Sequence, residues 1–149
     1  MLDLIQRFNE LARVVSGTAR TLSFLSPVSA TAWAAMARSG HAPATQLTGN
    51  GQSYADTVGL SDILQGGSPI RKPTPGNPYS PLVELLSHAA VDPCNTVIND
   101  LIHSQLTNFP HLARQASMIT GELHDNVPSH ASGIGFSMAQ HYPSRNELE

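Results

Sequence analysis

Prolines punctuate the run from Ser80 to Gly121, and their placement limits what it can fold into. The run reads as three helical segments, SPLVELLSHAA, DPCNTVINDLIHSQLTN and NFPHLARQASMITG, each with a proline near its start. Proline lacks a backbone N–H and holds φ near −65°, so it suits a first helical turn and disrupts a helix further in. In the middle segment Cys94, Val97, Ile98, Leu101, Ile102 and Leu106 recur at helical spacing. Asn99, Asp100, His103 and Thr107 fall on the other side. This pattern predicts a scaffold of helices with one arc turned to a core.

The chain ahead of it points the same way. Over residues 3–25, Leu4, Phe8, Leu11, Ala12, Val15, Ala19 and Leu22 share one stripe, with Gln6, Glu10, Arg13, Gly17 and Arg20 opposite. Ser26-Pro27 then reads as an N-cap followed by proline at the first helical position. The alanine-rich segment that follows ends at Gly40, a natural residue just past a helix. Its small side chains allow close helix approach, and Trp33 with Met36 supplies the packing bulk.

Residues 40–80 change character. Gly49-Asn50-Gly51, Gly66-Gly67 and prolines at 69, 73, 75 and 78 interrupt any regular pattern. One short helix is expected at Ser61–Gln65, and the remainder reads as an extended arm. Tyr54, Val58, Leu60, Ile63, Leu64, Ile70 and Tyr79 give that arm apolar groups to bury, which a charged disordered tail would lack. Lys72-Pro73-Thr74-Pro75-Gly76-Asn77-Pro78 has the spacing of a polyproline ligand. Ile70, Lys72, Pro73, Pro75, Pro78 and Tyr79 are therefore the candidate interaction residues. Beyond Gly121, Pro128-Ser129 could open a last helix toward Gln140, weakened by Gly133 and Gly135.

Charge excludes some partners. Only 13% of the 149 residues are charged, the net charge is −3, and Lys72 is the sole lysine. A nucleic-acid binder needs a basic stripe to neutralise phosphates, so no nucleic-acid partner is expected. A weakly charged polar surface suits contact with other protein instead. Residues 1–40 hold Arg7, Arg13, Arg20 and Arg38 against Asp3 and Glu10, whereas acids dominate from Leu82 onward. Cys94 is alone, so the fold must hold by packing without an intrachain disulfide. No apolar run reaches the roughly 18 residues of a membrane span, and the N-terminal run lacks the basic start of a signal peptide. A cytoplasmic location, or assembly and export by a dedicated system, is expected.

Six of the seven histidines lie from His88 onward, which raises metal binding and acid–base chemistry. The ligand spacings of helical metal sites are missing, so no metal or other cofactor is expected. Asp100 and His103 lie three apart on one helical face, a spacing that lets them pair. The doublet His124-Asp125 is similar to the His-Asp pair of all-helical metal-dependent phosphohydrolases. Those enzymes use a further aspartate downstream, and none follows Asp125. Were the chain a hydrolase, Asp100, His103, His124 and Asp125 would carry the reaction.

The resulting expectation is one all-α domain spanning 1–149, an irregular bundle of about five to six helices. Residues 1–39 form a helical pair, 40–80 a Pro/Gly-rich arm between helices 2 and 3, and 81–149 the C-terminal helices. The function expected is a non-catalytic structural or protein–protein interaction module, part of a larger assembly of the phage-particle or secretion-apparatus type. Its partner is another protein or further copies of itself. A histidine- or metal-dependent hydrolase is the alternative, and a membrane-surface adaptor acting through residues 3–25 is a third reading that is not favoured.

Overall fold

The computed structural model describes residues 4–16, 21–41, 45–68, 77–130, 134–145 and 147–149. It divides into two compact units, Met1–Arg71 and Lys72–Glu149. The chain is mostly helical, with α1 (Leu4–Val15), α2 (Pro27–Arg38), α3 (Gly49–Val58), α4 (Leu60–Leu64), α5 (His88–Gln105) and α6 (Pro110–His130). Among the described residues six two-residue strands pair into small ladders, so the chain is mostly helical without being strictly all-α.

In the first unit, α2 follows its sequence signals closely. Ser26 accepts a hydrogen bond on Oγ from the Ser29 N–H at 3.3 Å, and Pro27 occupies the first helical position. Glu10 of α1 reaches the same point, its Oε1 accepting the Ser26 N–H at 2.9 Å. A carboxylate there favours the positive end of the helix dipole, so it orients α1 on α2. At the other end His41 N–H bonds Met36 O and Gly40 N–H bonds Ala37 O, with Gly40 at φ 78°. That double closure needs a left-handed residue, and Gly40 supplies it.

The amphipathic stripe expected over residues 3–25 is shorter in the structure. After α1 ends, Thr21–Leu22 (β1) pairs in parallel with Gln46–Leu47 (β2). The extended arm expected over 40–80 holds more helix than the one short segment foreseen near Ser61, because α3 precedes α4 there. Gly51, which looked like a breaker, lies inside α3 for a packing reason. A Cβ there would sit 2.9 Å from the Leu22 carbonyl oxygen, so only glycine lets α3 lie against that strand. Trp33, Leu25, Ala30, Ala34, Ala55, Val58, Leu60 and Ile63 are buried, and α2 contacts both α1 and α4.

The second unit is built on the hairpin of α5 and α6. Leu85, Val91, Cys94, Ile98, Leu101, Ile102, Ala113 and Ala139 form its core, with Val83, Leu106, Ala116, Val127 and Leu148 packed around them. Of the expected apolar arc of α5, Cys94, Ile98, Leu101 and Ile102 are buried and Leu106 packs at the edge, whereas Val97 is half-buried; Ala113 at full burial permits close helix approach.

The three proline-led helices are corrected to two. Residues 81–87 are not helical: Val83–Glu84 (β3) pairs antiparallel with Phe136–Ser137 (β4). Ser80 turns its hydroxyl to the Ala139 N–H at 2.6 Å, and Ser80 N–H bonds Ala139 O. These long-range bonds satisfy the backbone in an extended form, which local helix signals do not foresee. Pro93 lies five residues inside α5 instead of opening it. The carbonyl that loses its partner there belongs to exposed Ala89, where water can replace the bond. Pro128 lies within the last turn of α6, and residues 134–140 beyond it are not helical. The chain continues through β4 into His141–Tyr142 (β5), which pairs with Glu147–Leu148 (β6).

Truncating Leu101 to alanine should lower unfolding stability by about 2–5 kcal/mol. Exposed His103 changed to alanine should shift it by less than about 1 kcal/mol. Urea denaturation of both variants checks this, and equal losses would contradict the assigned faces.

Candidate functional site

Asn95 and Ser137 converge on the buried ring of His124. It lies on the inner face of α6 and is bonded through both ring nitrogens. Nδ1 lies 2.5 Å from Oδ1 of Asn95 on α5, and Nε2 lies 2.7 Å from Oγ of Ser137 on β4. A carboxamide oxygen can only accept, so Nδ1 carries the proton and Nε2 accepts from the Ser137 hydroxyl. Burial pushes the His124 imidazole below its ordinary pKa, an effect the Asp125 charge opposes. The ring is therefore held neutral in one tautomer. Cys94, buried beside it, also bonds Ser137, and burial pushes its thiol up to about 11 despite that bond.

Serine, imidazole and carboxamide stand in the order of a nucleophile, a general base and its orienting group. The donor directions suit proton removal from Ser137 Oγ. Access does not: His124 and Ser137 are 8% and 9% exposed, and Ser137 is held in the β3–β4 ladder. Acyl transfer needs a carbonyl within about 3 Å of the nucleophile and donors aimed at its oxygen. In the closed form seen here, the chain of bonds acts as a clamp joining α5, α6 and β4.

A second histidine set lies on the surface. His88 Nδ1 is 3.5 Å from Asp125 Oδ1, and its Nε2 is 3.4 Å from Ser129 Oγ. His88, Asp125 and Ser129 are all exposed, so water competes for each long contact. Open cavities lie among the described residues of the first unit. One, of about 590 Å³, is lined by Gly49, Gln52, Ser53, Asp56 and Thr57, and another, of about 300 Å³, includes Trp33 and Leu64.

The four residues proposed for a hydrolase are not assembled into one site. Asp100 and His103 are exposed on α5, where His103 Nε2 lies 3.4 Å from Ser117 Oγ on α6. His124 points inward while its neighbour Asp125 points outward to His88. Among the described residues no three His, Cys, Asp or Glu side chains are grouped to hold a metal ion. Of the arm residues, Ile70, Lys72, Pro73 and Pro75 lie outside the described residues. Pro78 is exposed, its carbonyl accepting from the His141 N–H, and half-buried Tyr79 bridges to Gln140.

Sequence reasoning missed Asn95 and Ser137. Asn95 carried a signal, since it lies four residues after Val91 and three before Ile98, on the edge of the apolar arc. Ser137 carried none, because its place depends on a strand two residues long. The chain matches no family model, no curated protein and no solved structure.

Two outcomes follow from the clamp. Because folding lowers the His124 pKa, the unfolded chain takes up the proton first as pH falls. The stability tied to the neutral ring is thus complete above about pH 6.5 and is lost below it, with a slope of at most about 1.4 kcal/mol per pH unit. That slope should flatten below the folded-state pKa and be missing from His124→Gln, as measured by urea melts from pH 8 to 5. Cys94 should resist iodoacetamide at pH 8 in the folded chain and react on unfolding, whereas rapid native alkylation would refute its burial.

Proposed function

We propose that this chain is a non-catalytic protein–protein interaction module, a component of a larger assembly, and that the outer face of α6 is its contact surface. One observation carries the reading. Phe109, just ahead of α6, and Leu112, Met118, Ile119 and Leu123 on it are 51–71% exposed, although the inner face of the same helix already closes a core. Single exposed apolar residues are common, but a run of them along one helix marks a surface that another molecule covers. The low charge of the chain, 13%, supports the reading, since little electrostatic repulsion opposes close contact.

A histidine-dependent hydrolase would have to open the clamp at Ser137, and a membrane adaptor would act through α1. No helix among the described residues is long and apolar enough to cross a membrane. The outer face of α6 needs no rearrangement to bind, which favours the interaction module. Ile70, Lys72, Pro73, Pro75, Pro78 and Tyr79 would supply a contact of their own.

Chemical cross-linking in the cells that make the protein, followed by native mass spectrometry, tests the reading. The chain should be found in a stoichiometric complex. Replacing Leu112, Ile119 and Leu123 together by serine should leave helical circular dichroism intact and cut recovery of that complex at least about tenfold. A wild-type chain recovered only as a free monomer, or a triple variant still fully incorporated, would overturn it.

A further inference from the structure

The clamp at His124 is balanced in a way that one more proton upsets. Three hydrogens, on His124 Nδ1, the Ser137 hydroxyl and the Cys94 thiol, meet three acceptors, Asn95 Oδ1, His124 Nε2 and Ser137 Oγ. Protonating Nε2 adds a hydrogen and removes an acceptor. The Cys94 sulfur is left to receive the surplus, and a thiol accepts weakly.

The new charge also lacks a partner at the ring. From α5 it meets Asn95 and Cys94, and from β4 Ser137, none of them anionic at neutral or acid pH. On α6 itself the neighbouring Asp125 turns outward to His88. Glu84 of β3 stands opposite Phe136, one position along from the pair Val83 and Ser137. Alternation along a strand directs its side chain to the other face of the ladder. A buried imidazolium placed like this is costly unless water reaches it.

We propose that protonation of His124 unseats β4 from α6 and β3 while α5 and α6 stay packed, which makes the clamp an acid-operated latch. The proposal is independent of the contact face on α6. The helical hairpin is held by Ile98, Leu101, Ile102 and Ala113 in its core. By contrast β4 is two residues long and pairs with β3 at two positions, and a two-stranded ladder that short does not stand by itself. At its start Gly135 lies so close to Val127 of α6 that a Cβ would collide. The strand is thus seated there by close approach, with no side chain to anchor it. Moving β4 brings water to Nε2, and it uncovers the ring, the Ser137 hydroxyl and the Cys94 thiol together. Opening admits the proton at an ordinary imidazole pKa, so the open fraction rises about thirtyfold from pH 8 to pH 5.

Amide hydrogen exchange in the full chain, read by NMR as protection factors so that intrinsic pH effects cancel, tests the latch. Leu85 and Ala139 report on β4, because their N–H groups bond Gly135 O and Ser80 Oγ. Leu101, inside α5, reports on the helices. At pH 5 Leu85 and Ala139 should be at least about 100-fold less protected than Leu101. Their protection should fall about thirtyfold from pH 8 to pH 5, and in His124→Gln that fall should be missing. Cys94 labelled with dithiodipyridine, a thiol reagent active in acid, should become accessible along the same pH curve. Equal protection of all three amides at pH 5 would overturn the latch, since acid would then unfold the whole unit. Strand protection that ignores pH in the wild-type chain, or that falls equally in His124→Gln, would overturn it too. The wild-type comparisons decide the matter where the variant does not fold.

Discussion

His124 is the group on which the C-terminal unit depends. An imidazole buried beside an apolar core is costly unless both nitrogens are satisfied. Asn95 satisfies one and Ser137 the other. Because the partners come from α5 and β4, solvating the ring correctly also brings three elements to one point. The apolar contacts of Ile98, Leu101, Ile102 and Ala113 supply the bulk of the driving force, but they are not directional. The hydrogen-bonded ring adds the direction, fixing which face of α6 turns inward. The outer face of α6, and with it Leu112, Ile119 and Leu123, is set by the same choice.

A similar division of labour holds in the N-terminal unit. Trp33 and the buried alanines of α2 provide area and close approach, while Glu10, Ser26 and Ser29 provide registry at the start of α2. Glycine does a related task at Gly51, where backbone meets backbone and no side chain fits. In both units a few polar or glycine positions select one arrangement among the many that apolar packing alone would accept.

What could be read from the sequence follows from this. Helix α2 was legible from Ser26-Pro27 at one end to Gly40 at the other, because every signal is local. The buried arc of α5 and the short helix near Ser61 were legible for the same reason. Helix α3 was hidden, since Gly49, Asn50 and Gly51 resemble breakers and Gly51 is needed only because Leu22 lies beside it. The extended form of residues 81–87 was hidden too: Pro81 and Leu82 look like a helix start, and strands of two residues show no alternation to detect. His124 stood out as a histidine but not as a clamp, because Asn95 is 29 residues away and Ser137 is 13 residues on. Separating its role from that of Asp125 required the direction of each side chain around α6.

The arrangement of the C-terminal unit therefore turns on the state of one ring. Nitrogen-15 NMR of the His124 imidazole, followed from pH 8 to 5 with assignment by loss of the signals in His124→Gln, measures it. A single neutral tautomer, protonated at Nδ1 and bare at Nε2, persisting below about pH 6.5, is the predicted result. A ring that exchanges between tautomers at neutral pH and titrates at or above that value would contradict the clamp, and with it the basis for assigning the outer face of α6.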